Sequence, residues 1–343
     1  MTPMIEIDES TAAAYARDRG LFPESSAVRS EWLSGGVSNA VFLLTVRDSG
    51  ERLILKQARE KLRTAAEWRS RLDRIWREVA ALRVLGSLVP RGEVPEVLLV
   101  DRDNYLFAMT AVPAGHVVWK QVLLARESRP DVYAKLGSFL GRVHAGTWSG
   151  AGVPPELHDK DVFDELRLDP YYRWTARRHP AVEVELLQLV ESTAARQDCL
   201  TLADFSPKNI LLFEDRLTVL DFETAHLGDP AFDLGFFTTH LVLKAVHLPA
   251  TRDAIFAGVR GFLAAYRREF SDERTAKEID DRSQRHLAAC LLARVDGKSP
   301  VDYLSLPEQA FVRGLAISLV KSPAADWIDL ESRLRCAISN SRF

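Results

Sequence analysis

The sequence predicts an α+β protein of two lobes: a small, β-rich N-terminal lobe over residues 1–112 and a larger, mainly helical C-terminal lobe over 113–343. Three observations carry this. Apolar stretches with strand-like alternation, punctuated by turn residues, fill much of residues 30–112. From 116 onward, long runs place apolar residues at helical spacing. Inside that second part, residues 202–233 carry polar groups at fixed offsets between short apolar runs. A chain of 343 residues can bury two cores of this size.

Taken in order, Ser10 precedes Thr11-Ala12-Ala13-Ala14-Tyr15-Ala16, which predicts an N-capped helix ending near Gly20. A strand over 41–46 alternates, and Asp48-Ser49-Gly50 turns it into Leu53-Ile54-Leu55-Lys56. Residues 67–86 carry Trp68, Leu72, Ile75, Trp76, Val79, Leu82 and Leu85 at helical spacing, with the tryptophans read as packing residues. Residues 94–112 return to strand character until Pro113-Ala114-Gly115 breaks it. Helices are predicted over 132–145, 182–195, 252–270 and 281–295, with a closing helix within 325–343. His144, on the first of these, reads as a braced core histidine.

Composition excludes more than it names. Lys and Arg total 45 against 48 Asp and Glu, a net charge of −3, so no polyanion partner such as nucleic acid is announced. Residues 1–111 hold 16 basic and 16 acidic groups and the remainder 29 and 32, a weak acidic excess that speaks against a polycationic ligand without excluding it. Cys199, Cys290 and Cys336 are odd in number and widely spaced, and read as buried thiols in a reducing compartment. The start of the chain has no basic region followed by an apolar core, and no apolar run reaches about 18 residues. The expectation is a cytoplasmic protein with no membrane partner.

The chemistry lies in 202–233. Asp204 is followed by Asn209 and then by Asp221, with apolar stretches at 210–212 and 217–220 reading as strands and Glu214-Asp215-Arg216 as their turn. Asn209 and Asp221 would then sit at adjacent strand ends. Each residue alone is commonly a turn former. The joint spacing, Asp-x-x-x-x-Asn and then Asp-Phe at a strand end, is close to a kinase catalytic loop and metal loop. Phosphoryl transfer from ATP needs one carboxylate to orient a hydroxyl and accept its proton. It also needs a carboxamide and a second carboxylate for Mg²⁺. Asp204 is the expected base, and Asn209 and Asp221 the expected metal ligands.

These residues resemble the aminoglycoside-phosphotransferase/choline-kinase-like superfamily of small-molecule kinases, and the resemblance spans most of residues 30–300. The N-terminal half is most similar to the 5-methylthioribose kinases, through Leu55-Lys56-Gln57-Ala58, Val94-Pro95-Glu96-Val97 and Asp101-Arg102. Asp169-Pro170-Tyr171 and Asp221-x-Glu223 extend the likeness. It departs at Leu202-Ala203, where the superfamily has His-Gly before the catalytic Asp, and an apolar packing substitute for that loop-bracing His is expected.

The resemblance implies a protein-kinase-like two-lobed fold, a kinase of small hydroxyl acceptors and the cofactors ATP and Mg²⁺. It also implies that Lys56, paired with Glu78, clamps the ATP phosphates. Gly35-Gly36 is either a hairpin turn or, 20 residues before Lys56, a phosphate-covering loop to which Ser38 and Asn39 add donors. The adenine is expected on backbone near Thr110 and Val112. Glu223 either extends the metal site or receives substrate, while Asp229 and Asp233 organise the following loop and cap the next helix. Lys208, Arg173 and Arg294 are the candidate substrate cations. Arg294 matches the first of an Arg pair in methylthioribose kinases, whose second member is Val295 here. A sugar such as methylthioribose is the leading acceptor, with an aminoglycoside kinase or a nucleotide-binding pseudokinase as alternatives, and a homodimer is left open.

Overall fold

The computed structural model describes residues 4–33, 39–59, 71–127 and 129–339. The loop residues Gly35, Gly36 and Ser38, and Trp68, lie outside them. The chain divides into two compact units, Met1–His116 with Leu211–Glu223, and Val117–Ile210 with Thr224–Phe343. The hairpin segment 211–223 thus counts with the first unit, although it falls inside the range 113–343.

The first unit has a helix α1 (Ala12–Asp18), strands β1 (Val28–Trp32), β2 (Asn39–Val46) and β3 (Arg52–Ala58), a helix α2 (Arg74–Leu88), and strands β4 (Val97–Asp101) and β5 (Leu106–Thr110). The strands form one antiparallel sheet in the order β1-β2-β3-β5-β4. Side chains alternate faces along a strand, and β3 uses both. Leu53 and Leu55 enter a core with Phe42, Leu44, Leu106, Tyr15 and Ala16. Lys56, between Val41 and Phe107 in register, takes the opposite face.

The start of α1 corrects one expectation. Asp8 rather than Ser10 organises it, its Oδ1 accepting the Ser10 and Thr11 N–H groups at 2.9 Å each. Trp76 packs as expected, stacked on Tyr105 with ring centres 5.9 Å apart. The two strands of the 211–223 segment, Ile210–Phe213 and Arg216–Val219, follow the expected hairpin closely.

The second unit is mainly helical: α3 (Trp119–Leu124), α4 (Pro130–Gly146), a continuous helical run over 161–178, α5 (Glu183–Ala195), α6 (Pro230–His247), α7 (Arg252–Arg268), α8 (Glu273–Asp296), α9 (Leu306–Lys321) and α10 (Trp327–Ser339). Helix α8 begins eight residues earlier than its apolar periodicity predicts. Its first turns are charged and are held by the Asp272 cap and by Arg274–Glu278 and Lys277–Asp281 pairs at 3.0 and 2.7 Å.

Glycines set the closest crossing. A Cβ on Gly137 of α4 would lie 2.2 Å from the Phe262 carbonyl oxygen of α7, so that crossing requires glycine. An aromatic column of Phe139, Phe205, Phe237 and Phe262, with successive ring centres 5.8, 4.9 and 4.5 Å apart, runs through this core. Phe205 follows Asp204 directly, so the loop bearing the expected base is anchored by its neighbour. Cys199 and Cys290 are buried, but Cys336 is exposed, because its position on α10 faces away from the core that takes Leu334 and Ile338. Among the described residues, no helix is long and apolar enough to cross a membrane.

Candidate active site

The first unit gathers charge around Lys56. Its Nζ lies 2.6 Å from Glu78 Oε2 and 3.4 Å from Asp221 Oδ1. The Lys56 and Glu78 side chains are 8% and 2% exposed, and that of Asp221 is 34% exposed. Burial works against the ammonium charge, but Glu78, Asp221 and Glu223 outweigh it and raise the Lys56 pKa above its ordinary value. Asp221 has a φ of 71°, the left-handed region that Asp tolerates better than most residues.

Glu223, expected at the metal or the substrate, accepts a hydrogen bond from Asn39 Nδ2 at 3.0 Å and faces Arg74 Nε at 3.5 Å. Asn39, expected as a phosphate donor, is thereby engaged within the unit. Arg74 is buried and had no sequence signal beyond its place on an amphipathic helix. Toward the connector, the Thr110 N–H donates to Glu96 O at 2.9 Å, and the Val112 carbonyl accepts from Arg52 Nη1 at 3.2 Å. These two backbone groups are therefore already partnered.

In the second unit, the short strand Cys199–Thr201 pairs with His226–Gly228 and leads into the loop of Asp204. At Leu202-Ala203, where an apolar packing substitute was expected, a carboxylate does the bracing. Asp233, in the first turn of α6, accepts the Leu202 N–H at 2.6 Å and the Ala203 N–H at 2.7 Å. Behind it, His144 Nε2 lies 3.2 Å from the same carboxylate and His144 Nδ1 lies 2.9 Å from the Tyr266 hydroxyl. His144 is thus the braced core histidine expected. Asp233 holds the preceding loop rather than the following one, while Asp229 is the cap of α6, accepting the Ala231 N–H at 3.0 Å. Ala203 has a φ of 61°, a position that favours glycine.

Asp204 is buried, and its carboxylate is surrounded. Arg167 Nη2 and Lys208 Nζ each lie 2.9 Å away, and Asn209 Nδ2 donates to Oδ2 at 2.8 Å. Burial would raise its pKa, but Arg167 and Lys208 overcome that and hold it below the usual carboxylate value. Arg167 also donates Nε–H to the Ala203 carbonyl at 2.6 Å, tying charge and loop geometry together. The Asn209 amide nitrogen points at Asp204, which leaves its oxygen as the atom suited to a hard cation.

A carboxamide oxygen such as that of Asn209 and a carboxylate such as that of Asp221 are each the kind of hard donor that Mg²⁺ takes. Among the described residues no cluster of three or more His, Cys, Asp or Glu side chains could hold a metal by itself.

The expected substrate cations differ in their surroundings. Lys208 is 2.9 Å from Asp204. Arg173 makes a two-pronged pair with Asp164, both contacts at 2.8 Å, which neutralises it locally. Arg294 bonds the Tyr171 hydroxyl and the Ser299 hydroxyl at 3.0 Å each, and among the described residues no carboxylate pairs with it. Arg167 and Arg74 escaped the sequence reading because each meets its partner across more than thirty residues with no local pattern.

A family model described as the phosphotransferase enzyme family matches residues 31–270. The chain belongs to that family. It is 26% identical over 296 residues to a methylthioribose kinase of Geobacillus thermodenitrificans, covering 78% of this chain and 74% of that protein. Among solved structures it is similar to a choline/ethanolamine kinase family protein of Mesorhizobium loti, with a TM-score of 0.51 and 19% identity over 95% of this chain and 98% of the other. An amicoumacin kinase solved with AMP-PNP, Ca²⁺ and Ami matches with a TM-score of 0.53 and 18% identity, over 94% of this chain and all of the other. The fold is accordingly protein-kinase-like, and the chain is a small-molecule kinase.

Proposed function

We propose that this phosphotransferase moves the γ-phosphoryl group of ATP to a hydroxyl of a small, sugar-like metabolite, with Mg²⁺ as cofactor. The observation that carries the reading is the loop around Asp204, a buried carboxylate held charged and bonded to Asn209. The acceptor oxygen attacks the γ-phosphorus, the bond from that phosphorus to the ADP oxygen breaks, and the hydroxyl proton passes to Asp204. A loose transition state requires positioning more than a strong base, so a carboxylate of lowered pKa suits the role. Lys56, kept cationic by Glu78, would hold the α- and β-phosphates, and Gly35, Gly36 and Ser38 would cover them. Asn209 and Asp221 would hold Mg²⁺, which neutralises phosphate charge when bound. Glu223, with its Arg74 and Asn39 partners, would set the position of the Asp221 segment. The adenine would use backbone of the connector around Thr110 and Val112.

The methylthioribose kinases are relatives at about a quarter identity, which supports a sugar acceptor without carrying the particular sugar over. Asp204→Ala is expected to lower kcat by roughly 10²–10⁴-fold while Mg²⁺-dependent ATP binding persists, and Asp221→Ala to weaken that binding. Full turnover by the Asp204→Ala protein would overturn the assignment.

A further inference from the structure

The second unit holds a group of cations that the phosphate chemistry does not use. Lys244 of α6 is 1% exposed, yet among the described residues no carboxylate pairs with it. Its ammonium donates to the His240 carbonyl at 3.3 Å and lies 5.3 Å from the centre of the Tyr303 ring. Lys120 of α3 approaches the same ring to 5.8 Å, and its 35%-exposed side chain carries the group to the surface.

Among the described residues, His240 Nε2 and the Tyr303 hydroxyl are buried without a hydrogen-bond partner. Of the carboxylates nearby, one lies at the exposed rim of the group and the other has a partner outside it. Asp302 reaches Lys120 at 3.4 Å from a side chain 80% exposed, and Glu308 pairs with His247 at 3.1 Å. Burial, Lys120 and Arg294 together push the Lys244 pKa down to about 7, and burial with Arg294 and Lys244 depresses that of His240.

This group adjoins the proposed base through aromatic rings. Arg167, which pairs with Asp204, lies over the Phe236 ring at 5.7 Å, and the His240 ring meets Phe236 at 4.9 Å. Arg167 and Arg294 both lie 5.8 Å from the centre of Tyr171. A buried cation with no carboxylate partner, beside buried orphan polar atoms, is costly unless an anion completes it.

We infer that Lys244, Arg294, His240, Tyr303 and Lys120 form the acceptor subsite for an anionic group, so that the hydroxyl substrate carries a carboxylate or phosphate. This rests on the assignment of Asp204 as base. A cationic acceptor of the choline or aminoglycoside kind is disfavoured by the same charges, and a neutral sugar leaves them unmatched.

The test uses the full chain and acceptors matched in skeleton: D-ribose against D-ribonate and D-ribose 5-phosphate, and glycerol against glycerate and glycerol 3-phosphate. ADP release is followed for the wild type, Lys244→Met and Arg294→Met. In parallel, thermal unfolding is measured with inorganic phosphate or acetate against chloride at equal ionic strength, with Lys56→Met as the control for anions in the nucleotide site.

The expected result is a preference of tenfold or more in kcat/KM for an anionic member. It should shrink toward parity in Lys244→Met with KM for ATP unchanged. The carboxylate and phosphate arms show which anion fits. Phosphate or acetate should also stabilise wild type and Lys56→Met but not Lys244→Met. Equal use of neutral members, a preference that survives Lys244→Met, or ATP binding with neither turnover nor any Lys244-dependent anion effect would overturn the inference. Loss of Mg²⁺-dependent ATP binding in the wild type would sink the kinase chemistry instead.

Discussion

Two groups of charges in this chain are built on opposite rules. In the first unit two buried cations meet carboxylates. Lys56 faces Glu78 and Asp221, and Arg74 faces Glu223. In the second unit Lys244 and Arg294 sit among Lys120, His240 and aromatic rings with no carboxylate paired to either among the described residues. The contrast teaches what each is for. A matched pair keeps its charges on whatever is bound and so serves as fixed architecture. An unmatched cluster lowers stability until an anion arrives, which is the signature of a site rather than of a scaffold.

The matched side should break hardest. Lys56→Met leaves Glu78 buried beside no cation, and a loss of about 3–5 kcal/mol in unfolding free energy is expected by chemical denaturation. The double variant Lys56→Met/Glu78→Leu should recover most of it. A double variant as unstable as the single one would mean that the pair is not the reason for the loss.

The unmatched side should move the other way. Lys244→Met is expected to stabilise the protein near pH 7 by about 1–4 kcal/mol. The pH dependence has a definite sign. Burial, Lys120 and Arg294 lower the folded pKa of Lys244 to about 7 from 10.5, against the smaller opposing pull of Asp302. Between those values the unfolded chain binds a proton that the folded chain has released. The contribution of Lys244 to stability therefore rises with pH from about 7 to 10.5. Unfolding followed by circular dichroism over that window should show a positive slope that flattens in Lys244→Met. An unchanged slope would remove Lys244 as its source.

The smallest effect concerns the loop that carries Asp204. Ala203 holds a φ of 61°, a conformation that costs a non-glycine residue about 1 kcal/mol. Ala203→Gly should raise stability by up to about that amount with kcat unchanged, because Asp233 bonds the backbone N–H that any residue supplies. A fall in kcat would show that the methyl group, and not only the backbone path, places Asp204.

Much of this was legible in the residues themselves. Hydrophobic periodicity located most elements to within a few residues, since a buried face imposes its period on the sequence that forms it. It missed the first turns of α8, whose cap and i,i+4 ion pairs have no apolar period. The spacing of Asp204, Asn209 and Asp221 was readable because one loop and one hairpin carry all three. The bracing of Leu202-Ala203 was not. An apolar substitute was expected, and a carboxylate 30 residues away holds the two amides instead.

The chain by itself determined that the protein is an α+β kinase-like molecule, with a lysine on a strand, a glutamate on a helix and a carboxylate loop in the order phosphoryl transfer needs. Those assignments depend on local period and short spacings, which a linear sequence records. Only the tertiary structure decided which charges are matched. Arg167 reaches Asp204 and Arg74 reaches Glu223 across more than thirty residues of sequence, and among the described residues Lys244 pairs with no carboxylate. The physical reason is range. Electrostatic compensation depends on distances of a few ångströms between groups far apart in the chain, and no pattern of neighbours encodes them.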